Sequence, residues 1–311
     1  MDRKKHEITL LEFPFEKGKI SFSILHSLTR MLQRVAAGSL RLVMEGVSSK
    51  KGPQPVWLES ATDFQLTSIN AGSTRLNVEA PVLQEVIQNF QLPLFDRNPE
   101  ELKPYTGIDL ALEALQQAFE PGEKDDLLDK HLLKEMEKYS SLFQKQQGTI
   151  KISGHQLREP AQLRYENFKD IKKLEERTPP PVKAMINGIL DLMQYSKDLI
   201  QIETEQGRIR AILSGDLAFS EVRDYFGKTV TIEGIAHFKP SEKVSSIEVS
   251  RIHESTGGDD WFSVQPTPIT EQLDFVELRE EQKYKGTKLD NVIGHWPGDE
   301  PIEELLALLK K

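Results

Sequence analysis

The densest group of side chains able to hold a metal or move protons lies in "DDLLDKHLLKEME", residues 125–137. Asp125, Asp129, Glu135 and Glu137 surround His131 there, and carboxylates beside an imidazole are a donor set for a divalent cation. Lys130, Lys134 and Lys138 are interleaved with those acids. Acids and lysines three and four residues apart on a helix form a solvated face stitched by ion pairs, and that plainer reading is the stronger one. The remaining histidines, His6, His26, His155, His237, His253 and His295, are scattered. The chain has no cysteine, which excludes disulfides, thiolate-bound zinc and a thiol nucleophile. None of the patterns GxxxxGK[ST], GxGxxG after a strand, HExxH or GxSxG occurs. The chain therefore reads as non-enzymatic, with no cofactor and no metal.

Binding chemistry is the alternative. Arg208, Arg210, His237 and Arg251 are the cations and rings that could meet nucleic acid in the most regular part of the sequence, with Glu203, Glu205 and Glu233 to offset them. Few aromatic residues stand at outward strand positions, His237 and Tyr195 being the exceptions. Charge is uneven along the chain. Residues 1–179 carry 25 Lys+Arg against 26 Asp+Glu, residues 180–253 carry 9 against 10, and residues 254–311 carry 6 against 13. The stated net charge of −9 thus sits mostly at the C-terminal end, and no region offers the basic surface that nonspecific nucleic-acid binding draws on.

The elements that must position these residues follow from periodicity. "EITLLEF" reads as a strand. Ile24, Leu25, Leu28, Met31, Leu32 and Val35 follow one helical face. "VWLESATDFQLTSI" and "STRLNVEA" read as strands, and "APVLQEVIQNFQ" as a helix. Residues 1–106 are thus a mixed α/β domain. Residues 107–181 read as a helical connector with a strand near 149–153, closed by the prolines at 179–181. From 182 to 253 the order is β-β-β-α-β-β: inward Val182, Ala184 and Ile186, resuming with Leu190 and Leu192 after Gly188, then Ile200 and Ile202, then Ile209, Ala211 and Leu213, a helix at "DLAFSEVRDYFG", then Val230, Ile232, Gly234, Ala236 and Phe238, then Ile247 and Val249. In that helix Asp216 can cap the start, Ala218, Val222, Tyr225 and Phe226 share a face, and Gly227 ends it. Gly188 inside the first long strand implies a bulge or strong coiling. This order resembles the OB-fold, a five-stranded barrel with a helix between its third and fourth strands. The fold class is therefore α+β, with an OB-like barrel and an acidic tail over 254–311.

That tail ends "IGHWPGDEPIEELLALLKK". Ile302, Leu305, Leu306 and Leu309 line one helical face, Pro301 suits the first turn, and Asp299 or Glu300 can cap it. Glu303 and Glu304 face the positive end of the helix dipole, and Lys310 and Lys311 the negative end. So short a helix draws its stability from burying its stripe, with Trp296 as anchor. The "W-P-G-D-E…E-E-L" pattern resembles the C-terminal segment of bacterial antitoxin-type proteins encoded beside PIN-domain ribonuclease toxins. The resemblance implies a protein partner of that kind, gripped by Trp296, Asp299, Glu300, Ile302, Leu305, Leu306 and Leu309, with Arg279, Lys310 or Lys311 meeting the carboxylates of the toxin. The alternative expectation is single-stranded nucleic acid on the barrel. No apolar run approaches the ~18 residues of a membrane span, and the basic start lacks the apolar core of a secretory signal, so a cytoplasmic protein is expected.

Overall fold

The computed structural model describes residues 2–268, apart from 14, 15, 17, 51, 71–73, 91–101, 121–126, 144–146, 158, 196, 197 and 216. The chain divides into two compact units, Met1–Pro268 and Ile269–Lys311, and every described residue belongs to the first. The tail residues named above, together with Asp125 and Asp216, lie outside the described residues. No helix among the described residues is long and apolar enough to cross a membrane.

The first unit begins with a five-stranded sheet and its helices. Strand β1 spans Arg3–Leu11, β2 Gln65–Asn70, β3 Thr74–Pro81, β4 Thr149–Ile152 and β5 Ala161–Leu163, in the order β2-β3-β1-β4-β5. All of these pairings are antiparallel. Alternation drives the pairing, since β1 buries His6, Ile8 and Leu10 on one side. Helix α1, Phe22–Glu45, starts where the Ser21 hydroxyl accepts the Ile24 N–H and stops at Gly46, whose φ of 76° suits a left-handed cap. Its stripe Leu28, Met31, Leu32 and Val35 is fully buried, as its spacing predicts. Helices α3 (Leu83–Phe90), α4 (Gly107–Phe119), α5 (Lys130–Glu137) and α6 (Tyr165–Arg177) follow. The last three pack with α1, β1, β3 and β4 in one hydrophobic cluster running from Ile8 to Ile171. Thus the helices after residue 106 share the core of the sheet.

One segment departs from its sequence reading. Val56–Ala61, expected to begin a long strand, forms the short helix α2, and the strand starts only at Gln65. Trp57, Leu58 and Ala61 are the buried residues, and that i, i+1, i+4 spacing fits a helical face rather than a pleat. Pro55, extended at φ −69°, leads into the first turn and Glu59 favours its positive end.

Beyond Pro179–Pro181 a second cluster forms, from Ile186 to Val249. Strands β6 (Val182–Gln194), β7 (Leu199–Thr204), β8 (Gly207–Leu213), β9 (Thr229–Phe238) and β10 (Val244–Glu254) close a barrel in the order β10-β8-β7-β6-β9. Helix α7, Phe219–Arg223, lies between its third and fourth strands. The pair β8 and β10 runs parallel and the other pairs antiparallel. Numbered within the barrel the cycle is 1-2-3-5-4-1, so the OB-like topology is present. The inward residues Ile186, Ile200, Ile202, Ala211, Val230, Ile232 and Ala236 are fully buried. Gly188 sits at a point of close approach, where an added Cβ would meet the Glu203 carbonyl of β7. The β6–β7 bulge itself falls two residues later, between Leu190 and Leu192.

Candidate functional site

Two outward rows cross the barrel on β6, β7 and β8. Ile189 faces Glu203, which faces Arg208, while Leu192 faces Gln201, which faces Arg210. The bulge frees Asp191 from this alternation, so its carboxylate lies 3.7 Å from the Arg208 guanidinium, with Glu203 at 3.8 Å. Arg208 is therefore exposed but shared between two acids. Arg210 is half-buried and has an interaction of its own.

The other two cations expected from the sequence lie on different strands. Arg251 pairs with Glu233 at 3.8 Å across β10 and β9. His237 on β9 lies 4.0 Å from Glu248. Burial pushes its pKa down, opposed by the nearby carboxylates of Asp129 and Glu248. Asp129 belongs to the sheet-and-helix part, and in the same region the Ser245 hydroxyl donates to Gly46 O at 3.4 Å. His237 is thus taken up where the barrel meets the end of α1. The structure unites Arg208 and Arg210 on one outward side of β8 and places His237 and Arg251 on other strands.

Tyr195 is exposed as the sequence reading has it, whereas Leu192 and Phe226, which that reading turns inward, are exposed as well. Trp261 is 88% exposed, Tyr195 77% and Phe226 58%, with Ile189 and Leu192 partly exposed beside them. The Gly227 N–H donates to Leu190 O, and the Leu190 N–H to Lys228 O, both at 3.0 Å. Those bonds carry the β6–β9 ladder past its end and set Phe226 beside Asp191 and Leu192. Helix α7 ends at Arg223, so Phe226 lies beyond it and faces solvent instead of the shared helical face expected from its spacing. Tyr195 meets the Phe219 ring edge-on, 5.1 Å between centroids, a geometry aromatic quadrupoles favour.

Trp261 arrives by a different route. After β10 the Ser255 N–H donates to Thr229 O at 3.0 Å, and Asn187 Nδ2 reaches both Ser255 Oγ at 2.5 Å and Thr231 Oγ1 at 3.0 Å. Asp259 accepts from the Thr256 N–H and hydroxyl at 2.8 and 3.0 Å, and the Thr256 N–H bond is the first cause of its lowered pKa. A 3-10 turn, Asp259–Phe262, then packs on β6. The Gln265 N–H finally bonds Gln206 Oε1 at 2.9 Å, so the segment crosses the outside of the barrel from β9 to the β7–β8 turn. Asn187, an outward position, is buried beneath it. Exposed apolar side chains are thus carried by β6 (Ile189 and Leu192), by the turn that follows it (Tyr195), by the segment after α7 (Phe226) and by the 3-10 turn that packs on β6 (Trp261).

Two of the acids around His131 are already engaged. Asp129 accepts from the Ser48 N–H, the Ser48 hydroxyl and the Leu132 N–H, and caps α5. Glu135 accepts from Lys138 and Tyr139. Among the described residues no group of three histidine or acid side chains could hold a metal ion. His6, Thr106 and Asp109 form a buried chain: His6 Nε2 lies 3.1 Å from Thr106 Oγ1, which donates to Asp109 Oδ2 at 2.8 Å. Its members are at most 2% exposed, and they tie β1 to the start of α4.

No family model matches this sequence, and no curated protein matches it. Among solved structures, replication protein A of U. maydis bound to ssDNA is similar at 19% identity, over 36% of this chain and 82% of that chain, with a TM-score of 0.18.

Proposed function

We propose that the barrel is a non-catalytic binding module whose ligand is single-stranded nucleic acid. The observation that supports this reading most is the set of exposed aromatic and aliphatic side chains on β6 and the segments next to it, Trp261, Ile189, Leu192, Phe226 and Tyr195, with Arg208 of β8 reaching Asp191 of β6. Every base has a π-face, and stacking on an aromatic side chain contributes ~1–3 kcal/mol per base without sequence preference. From Ile189 to Tyr195 an extended strand covers about 20 Å, room for the lower end of OB-type sites, ~4 nucleotides. Because Asp191 and Glu203 neutralise Arg208 locally, affinity rests on stacking and its salt dependence is shallow.

The test is fluorescence anisotropy with a labelled single-stranded oligonucleotide at several salt concentrations. Tyr195→Ala, Phe226→Ala and Trp261→Ala each weaken binding by roughly 5- to 150-fold, the equivalent of one lost stack. Arg208→Ala with Arg210→Ala flattens the remaining salt slope. Absence of binding by the wild type, or affinity unmoved in all three aromatic variants, sinks the proposal.

Charge pairing favours a second reading, a protein partner. Arg208, Lys228 and Arg251 each sit beside a carboxylate, and a mixed-charge rim around an apolar centre suits a protein interface. In its concrete form this is an antitoxin-type protein that holds a PIN-domain ribonuclease through Trp296 and the Ile302, Leu305, Leu306 and Leu309 stripe, residues that lie outside those described. Co-expression with the product of the neighbouring gene, comparing the full chain with one stopped at residue 290, tests it. Equal capture by both chains, or capture by neither, removes this reading.

A further inference from the structure

The sheet-and-helix part holds a cavity of about 270 Å³ between α1, α5 and the loop that follows α1. Its wall carries Arg34 and Arg41 from α1, Lys50 from the loop and His131 from α5, with Ser49 and Gln54 as further donors. Arg34 and Arg41 are seven residues apart, two helical turns, so both side chains leave the same face of α1. Gly38 stands between them, and a Cβ there would come within 2.6 Å of the Leu132 side chain. That glycine lets α5 close over α1 and brings His131 into the wall.

The charge balance of the cavity is the informative feature. One carboxylate, Glu135, lines it, and that group already accepts from Lys138 at 2.6 Å and Tyr139 at 3.0 Å. Arg41 forms the floor with its side chain 10% exposed, and its ion pair to Glu45 at 3.2 Å uses one terminal nitrogen. A guanidinium presents five N–H donors in a rigid fork, so the rest of that fork remains for a second acceptor. Arg34, Lys50 and His131 are exposed around the rim. Gathering like charges in one small concavity, one of them nearly buried, destabilises the empty protein, and an anion offsets that cost.

We infer that this cavity binds a phosphomonoester, either as a free small molecule or as the terminal phosphate of a nucleic-acid strand. Arginine forks match phosphate oxygens bidentately and lysine adds a point charge. The volume falls below the ~300 Å³ where drug-sized sites begin, and His131 is the one ring among the lining residues. The site is therefore sized to grip the phosphate group, with no room to enclose a base. It uses none of the barrel residues, so its failure and that of the barrel proposal are separable.

The experiment is thermal unfolding of the full chain with rising inorganic phosphate, against sodium chloride at equal ionic strength. Phosphate raises the melting temperature saturably, and the R34Q/K50Q double variant, altered only at exposed side chains, weakens the apparent affinity at least about tenfold, the equivalent of losing one charge-assisted hydrogen bond. R41K keeps the charge but loses the fork, and it weakens phosphate as well. A shift no larger than that of chloride, or one retained in R34Q/K50Q, overturns the inference. Matched oligonucleotides with a 5′-phosphate or a 5′-hydroxyl identify the source. A difference between them that R34Q/K50Q erases assigns the strand terminus. Saturation by inorganic phosphate with no such difference assigns a small phosphomonoester.

Discussion

Placing a methyl group at Gly188 or Gly234 should open the barrel, whereas the same change at Gly257 should not. At Gly188 the added Cβ would meet the Glu203 carbonyl oxygen and lie 2.6 Å from Ile202 Cγ2. At Gly234 it would meet the Glu248 carbonyl oxygen and lie 2.9 Å from the carbon of that group. Ordinary contact begins near 3.4 Å, so a backbone locked in the β7 or β10 ladder has to retreat by about one ångström. Overpacking against mobile side chains costs about 1–3 kcal/mol. Here the obstacle is backbone, so about 3 kcal/mol or more is expected from Gly188→Ala and from Gly234→Ala. At Gly257 nothing lies within 4 Å, and Gly257→Ala is expected to be neutral or to stabilise by about 0.4–1 kcal/mol through the unfolded chain. Hydrogen–deuterium exchange read on peptides from 182–194 and 229–238 isolates the barrel from the first core. A 3 kcal/mol loss appears there as exchange faster by roughly a hundredfold. If Gly188→Ala exchanges like Gly257→Ala, the account of how this barrel closes is wrong.

Asp109→Ala removes a carboxylate that accepts from the Thr106 N–H at 2.9 Å, the Thr106 hydroxyl at 2.8 Å and the Gln156 N–H at 3.1 Å. A lost capping box with buried donors left unpaired costs about 2–4 kcal/mol, measured by urea unfolding. Stability should also fall in mild acid. Burial holds His6 below the ordinary histidine value of 6.5, and His237 is shifted the same way. Below 6.5 the unfolded chain therefore binds protons that the folded chain refuses. The contribution is complete above that value and is lost as pH falls toward the depressed folded values, by at most about 1.4 kcal/mol per pH unit for each histidine. Urea midpoints at pH 7.5, 6.5 and 5.5 check this, with His6→Gln expected to flatten the profile; a wild-type midpoint that rises on acidification contradicts it.

Much of the architecture was legible because its signals are local. The stripe Leu28, Met31, Leu32, Val35 specifies a helix whatever it packs on, and Ile200, Ile202 and Ile209, Ala211, Leu213 specify strands with one inward face, because side chains repeat every 3.6 or 2 residues. Element order then pointed to the OB-like barrel. The Val56–Ala61 segment went the other way because six residues hold too little period to separate a short helix from the strand that follows.

The sequence by itself determined the periodicity of α1 and of the barrel strands, the order of the barrel elements, and which catalytic motifs are missing. Only the tertiary structure decided which strands pair, including the parallel contact of β8 with β10, and which aromatic residues stay outside. Phe226 shares a helical period with Val222, yet α7 stops at Arg223, and the bonds of Gly227 and Lys228 to Leu190 turn that ring to solvent. Arg34, Arg41, Lys50 and His131 likewise face one cavity although His131 is far from the others in sequence. Local periodicity fixes the direction of a side chain relative to its own element. What lies opposite it depends on contacts between distant segments, and those are chosen only when the whole core packs.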